Sequence, residues 1–203
     1  MSAASASALT ILAPLAIEAR AARAGAPRAR VLRSGMGAAR SRAFTPPRDA
    51  ATLLVAGFAG GLDAALAPGD VVLATALVDP AGARRATLDP SALAALLRRA
   101  GLRVALGPIA SSERLVTGAR RRALRDASGA LAVDMESFWL AAARPPAVLR
   151  VVLDTGAREL VRPRATARGV RVAYRTLRRA CALTEEWAAS ARAAEPENAN
   201  VVV

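Results

Sequence analysis

Apolar runs short enough for single strands alternate along this chain with longer stretches in which apolar positions recur at helical spacing. That rhythm is the one expected of a sheet with helices packed on its faces. Thr10 to Leu15 and Ala29 to Arg33 read as strands around a short helix that starts near Glu18. Thr52 to Ala56 reads as a buried strand running into Gly57-Phe58-Ala59-Gly60-Gly61. Pro68-Gly69-Asp70 is a turn, and Val71 to Val78 after it reads as another strand. Asp89-Pro90 opens a helix through Arg99 that closes at Gly101, since Asp caps free N–H groups, Pro suits the first turn and Gly suits the end.

In the second half, Leu102 to Ile109 reads as a strand and Arg114 to Ala127 as a basic helix. Leu131 to Val133 is a short strand leading into Asp134-Met135-Glu136-Ser137, and the helix after Glu136 must stop by Arg144 because Pro145-Pro146 cannot continue it. Ala147 to Leu153 is a strongly apolar strand ending at Asp154, and the last helix runs from about Gly169 to Ala189. The elements predict one α/β domain over residues 9–190, a three-layer α/β/α arrangement around a central mixed, mostly parallel twisted sheet. Residues 1–8 and 191–203 read as a flexible start and tail.

Composition narrows the function classes. The chain has 203 residues, 54% of them hydrophobic, enough for one well-buried domain. All 29 basic residues are arginine, against 16 acidic ones, giving a formal net charge of +13. The arginines are scattered and only 3% of residues are aromatic, which speaks for a usage bias over a nucleic-acid surface with base-stacking platforms. Peripheral contact with an anionic membrane stays open on charge alone. A lone cysteine, Cys181, and the absence of histidine argue against a disulfide framework and against a metal site, and a reducing, cytoplasmic compartment fits. Met1 to Leu15 lacks the basic start of a secretion signal and runs directly into Glu18 and Arg20, so it reads as a first strand. No stretch reaches the roughly 18 apolar residues that a membrane span requires.

In open α/β sheets ligands bind beyond the carboxyl ends of strands. Four such places carry glycines or carboxylates: Ser34-Gly35-Met36-Gly37, Gly57 to Gly61, Asp134-Met135-Glu136, and Asp154. Neither glycine segment is a Walker loop or a dinucleotide fingerprint.

Ala132-Val133-Asp134-Met135-Glu136-Ser137 resembles the signature of the nucleoside phosphorylase superfamily, in which a Met-Glu pair grips ribose. Further pieces fall in the family's order. Ser34-Gly35-Met36-Gly37 resembles its SGIG segment, Gly57 to Leu62 its GxAGGL turn, and Gly69-Asp70-Val71-Val72 its GD-plus-strand element. Gly107 to Glu113 resembles the segment before the base pocket, and Arg150-Val151-Val152-Leu153-Asp154 the late strand end that supplies a catalytic aspartate. Within the superfamily the chain is most similar to nucleosidases of the methylthioadenosine and adenosylhomocysteine type. Ile17-Glu18-Ala19 and Glu159-Leu160-Val161-Arg162 point to the shorter hopanoid-associated members, thought to remove adenine from adenosylhopane.

The resemblance implies hydrolysis of the N-glycosidic bond of a 5′-substituted adenosine. Asp154 would be the acid at the purine, Glu18 would direct the attacking water, and Met135 and Glu136 would hold the ribose. Gly35, Gly37 and Gly60 would line the nucleophile and ribose region, and Leu115 and Val116 the base. Arg150 would orient Asp154 or another carboxylate. No cofactor or metal is implied, and relatives of this fold are usually symmetric oligomers, so a homodimer is expected. Three departures are visible. Leu115 stands where an aromatic residue usually stacks on adenine, Ser112-Glu113 replaces glycine-aspartate, and Leu153 replaces the serine before the aspartate. Two alternatives remain: phosphorolysis, with phosphate as co-substrate held by Arg33, Arg40 and Arg42, and a non-catalytic nucleotide- or anion-binding module.

Overall fold

The computed structural model describes residues 8–156 and 163–194. The element order is β1 (Leu9–Ala13), α1 (Ala16–Gly25), β2 (Arg30–Arg33), α2 (Ala38–Ala43), β3 (Thr52–Gly61), β4 (Val71–Val78) and β5 (Arg84–Ala86). Then come α3 (Ser91–Arg99), β6 (Val104–Ser111), α4 (Ala119–Ser128), β7 (Ala132–Asp134), α5 (Ser137–Leu140), β8 (Ala147–Thr155) and α6 (Pro163–Ala194).

Alternation along the strands builds two cores. In β3, Leu54 and Ala56 face one side with Leu149 and Val151 of β8, under Leu177 and Cys181 of α6 and Leu93 and Leu97 of α3. Leu53 and Val55 face the other with Val148 and Val152, under Phe138, Trp139 and Leu140 of α5. Both faces of β1, β3 and β8 are covered, which is why these strands read as continuous apolar runs. Each fully buried leucine among them contributes about 1.5–3 kcal/mol.

The expected mixed, mostly parallel sheet is present, with β1–β2, β1–β3, β3–β8, β4–β6 and β6–β7 parallel, and β3–β7, β4–β5 and β4–β8 antiparallel. It is not a simple open sheet, because β3, β8, β4, β6 and β7 pair in a closed ring. Ring closure brings the end of β7, which runs against β3, onto the last two residues of β3. The Asp134–Glu136 segment therefore arrives beside the carboxyl ends of β1, β3 and β8.

Four boundaries differ most from the sequence reading. β3 continues through Gly61 instead of stopping at Ala56, because its glycines pair with β7 and β8. α4 starts at Ala119, after Gly118 with its left-handed backbone, not at Arg114. α6 begins at Pro163 and carries Gly169 within it, where a Cβ would sit 3.0 Å from the Leu153 carbonyl, so glycine lets the helix press onto β8. It also runs to Ala194, into the stretch read as tail. The short α2 and β5 lacked any distinct periodic signal. Residues 1–7, the Glu159-Leu160-Val161-Arg162 stretch and the tail from Glu195 lie outside the described residues. No helix among the described residues is long and apolar enough to cross a membrane.

Candidate active site

Glu18 sits at the third position of α1, and its carboxylate reaches back to accept from the Leu15 N–H at 2.7 Å. Its other oxygen accepts from the Phe58 N–H of β3 at 2.6 Å. The side chain is thus partly a helix-start device, as its first-turn position allows. It is also a buried carboxylate, 2% exposed, whose pKa burial raises against the opposing pull of Arg150 and these two backbone donors.

Arg150 organises the floor of the site. In β8 it shares a face with Val148 and Val152, in register with Gly57 of β3, and none of its surface is exposed. A Cβ on Gly57 would collide with Arg150 Nη1 and come within 2.5 Å of Glu18 Oε1, so a residue without a side chain is what lets both groups meet there. Arg150 Nε lies 2.8 Å from Asp134 Oδ2, and Nη2 lies 3.5 Å from Glu136 Oε2. Burial opposes its charge, but Asp134, Glu136 and Glu18 outweigh that opposition and hold its pKa above the ordinary value.

Asp134 turns the end of β7 into α5. Oδ1 accepts from Ser111 Oγ at 2.6 Å and from the Glu136 and Ser137 N–H groups, while Oδ2 accepts from Ser137 Oγ. Arg150 donates in turn to Ser137 Oγ, and the Phe138 N–H to Ser111 Oγ. This buried network fixes Glu136, whose Oε1 accepts the Gly37 N–H at 2.9 Å. Gly37 has φ +90°, a left-handed conformation that suits glycine and turns its N–H onto the carboxylate.

Burial raises the Glu136 pKa to about 7, with Arg150 pulling against it and Asp134 adding to it. The folded protein therefore holds a proton between pH 4.5 and about 7 that the unfolded chain has already lost. The stability tied to this group is complete below 4.5 and is lost as pH rises through about 7. Glu136→Gln is expected to flatten that part of the pH profile by on the order of 3 kcal/mol, measured as unfolding free energy in urea at a series of pH values. An unchanged profile would remove Glu136 as its source.

Asp154 closes the opposite wall, at a place where strand register slips. Ala59 pairs with Val152 but Gly60 pairs with Asp154, so Leu153 is an extra residue and the alternation that would put Asp154 on the face of Arg150 is broken. Arg150 accordingly serves Asp134 and Glu136, the second of the two roles expected for it. Asp154 is held by Arg121 of α4, with Nη2 2.6 Å from Oδ2, and both side chains are buried. Arg121 also donates to the Gly61 and Val116 carbonyls.

These walls enclose a cavity of about 200 Å³. Glu18, Gly60, Leu115, Val116, Met135, Glu136 and Asp154 all line it, so seven of the residues singled out in the sequence converge on one space. Gly35 and Gly37 stand behind it, with Met36 between them on the lining, and Arg150 lies beneath. Arg33, Arg40 and Arg42 do not line it. All three are exposed, and Arg42 pairs with Glu113 and stacks over the Trp139 ring. Leu115 is 64% exposed at the rim, and the Val116 carbonyl, expected to help hold a base, accepts from Arg121. The sequence reading missed Arg121 and the anchoring roles of Asp134, Ser111 and Ser137. A signal for Arg121 did exist: it lies three residues before Leu124, on the inward face of α4.

A family model described as the Phosphorylase superfamily matches residues 16–182. No curated protein matches. Among solved structures, the chain is similar to the 5′-methylthioadenosine/S-adenosylhomocysteine nucleosidase of Neisseria meningitidis in complex with methylthio-immucillin-A. That likeness has a TM-score of 0.74 at 20% identity and covers 88% of this chain and 98% of that one. The nucleosidase of the same name from Helicobacter pylori aligns with a TM-score of 0.72 at 18% identity, covering 90% of this chain and 97% of that one. The futalosine hydrolase of Helicobacter pylori aligns at 0.69 and 18%, covering 85% and 96%. At these identities the likeness establishes the fold.

Proposed function

The chain belongs to the phosphorylase superfamily, and we propose that it hydrolyses the N-glycosidic bond of a 5′-substituted adenosine, releasing adenine. The observation that carries this reading is one cavity lined by three carboxylates from separate segments of the chain, Glu18 of α1, Glu136 after β7 and Asp154 of β8. Bond cleavage builds positive charge on the ribose ring and negative charge on the leaving purine, so carboxylates belong beside the sugar and an acid beside the base.

Glu136 accepts from the ribose hydroxyls, with Met135 packed against the sugar, and Asp154 delivers a proton to the purine. Glu18 takes a proton from the attacking water. Its two backbone donors leave acceptor positions on a carboxylate that has about four, and burial strengthens it as a base. Water is favoured over phosphate because Arg33, Arg40 and Arg42, the arginines expected to hold the anion, do not line the cavity. The Gly37 N–H is likewise taken by Glu136. An apolar 5′ substituent is favoured by Leu15, Met36, Phe58, Leu115 and Leu153 on the lining, which suit a thioether or a hydrocarbon chain such as a hopanoid tail.

The test is release of free adenine from methylthioadenosine, adenosylhomocysteine and a long-chain 5′-alkyl adenosine, each with and without phosphate. Phosphate-independent release, fastest with an apolar 5′ group, is expected. Strict phosphate dependence would make the protein a phosphorylase, and release from none of the three would end the adenosine assignment.

A further inference from the structure

The cavity contains one ion pair that the roles above do not use. We infer that Arg121 is the positioning residue for Asp154: it sets the orientation of that carboxyl group against the leaving purine and locks it to the neighbouring cavity walls. The inference rests on the reading of Asp154 as the acid at the base.

Four contacts carry it. Arg121 Nη2 lies 2.6 Å from Asp154 Oδ2, and Nη1 donates to the Asp154 carbonyl at 3.4 Å, so one guanidinium holds both the side chain and the backbone of the same residue. Nη1 also donates to the Gly61 carbonyl at 3.2 Å, and Nε to the Val116 carbonyl at 3.1 Å. The planar fork therefore ties together the end of β8, the end of β3 and the loop before α4, three segments that wall the purine side of the cavity.

Asp154 follows a register slip in which Leu153 is the extra residue, and the slip turns its side chain away from the face that carries Arg150. The residue before it is Leu153, whose side chain has no group to hydrogen-bond a carboxylate. Arg150, four residues earlier on the same strand, is committed to Asp134, Ser137 and Glu136. Arg121 is the only buried residue of α4, and it reaches the site from outside the strand that carries Asp154. Its side chain is 4% exposed, so the guanidinium has given up water for these partners, and such a group is seldom retained without them.

A cation fixed to Asp154 also bears on its proton. It favours the carboxylate, so a protein without the cation keeps the acid form to higher pH. Losing Arg121 should thus both misplace the acid and move the alkaline limb of the rate profile, effects that a merely structural side chain would not couple.

The experiment compares adenine release by wild type, Arg121→Met and Arg121→Lys, using the fastest of the three nucleosides above. Misplacement of a catalytic group by about 1 Å lowers rates on the order of 10²-fold, so kcat of Arg121→Met should fall by roughly that factor with KM little changed. The alkaline limb of kcat/KM should move to higher pH, and added guanidinium ion should restore part of kcat. Arg121→Lys, which keeps a charge but not the fork, should lie between the two. If Arg121→Met does not fold, Arg121→Lys decides, because a reduced kcat at unchanged KM supports the inference. Wild-type kcat and pH profile in the variants would overturn it while leaving the hydrolase reading intact. No release by wild type would overturn the hydrolase reading first, and this inference with it.

Discussion

Arg150→Met is expected to lower the free energy of unfolding by about 3–5 kcal/mol, the usual result of removing one member of a buried charge cluster. Methionine fills most of the volume, so the loss is electrostatic and not a cavity effect. Asp134, Glu136 and Glu18 would be left buried around a neutral side chain. The Glu18 and Glu136 pKa values, already raised by burial, would rise further, and stability tied to raised carboxylates is lost as pH increases. The deficit of Arg150→Met against wild type should therefore be larger above neutrality than in mild acid. Urea unfolding of both proteins on either side of neutrality checks this, and a deficit that does not change with pH would refute the cluster as its source. Arg150→Lys should recover only part of the loss, because a single ammonium cannot reproduce the contacts to Asp134, Ser137 and Glu136 made by the guanidinium.

The second large effect concerns activity alone. Asp154→Asn keeps the shape of the side chain, and its amide oxygen can still accept from Arg121 Nη2, so the fold and its melting behaviour should persist. What is lost is the proton. General acid catalysis typically supplies roughly 10²- to 10⁴-fold, and adenine release should slow by a factor in that range. Binding of the intact nucleoside should change little, since an interaction made mainly in the transition state contributes to kcat and not to ground-state affinity. Steady-state rates beside equilibrium binding of the same nucleoside separate the two. Retained kcat in Asp154→Asn would remove Asp154 as the acid.

Much of the fold was legible because its central strands are buried on both faces, and such strands announce themselves as unbroken apolar runs. The carboxylates of the site were legible for the complementary reason. Glu18, Glu136 and Asp154 stand at strand ends or just beyond them, where an acidic side chain in apolar company asks for an explanation. Partnership was not legible. Every basic residue in the chain is arginine, so residue type alone does not set apart the two that are buried in the site, Arg121 and Arg150. The slip between Ala59 and Gly60 that separates Arg150 from Asp154 is equally silent, since it depends on how β3 and β8 register. The length of β3 was misjudged because glycines usually weaken a strand. At Gly57 the missing side chain is what the neighbouring strand requires.

The closed ring of strands has a further consequence for the rest of the sheet. With β3, β4, β6, β7 and β8 paired in a circle, the described sheet is left with two rims, β2 and β5. Both are short, and each bears two arginines: Arg30 and Arg33 on one, Arg84 and Arg85 on the other. Unpaired backbone along a rim is a template for growth by stacking of further copies, and like charges are a recognised way to prevent it. Arg33 and Arg84 are exposed there, while Arg30 pairs with Asp49 and Arg85 stacks over Phe138, so two of the arginines that look like indiscriminate usage sit where they oppose edge-to-edge growth.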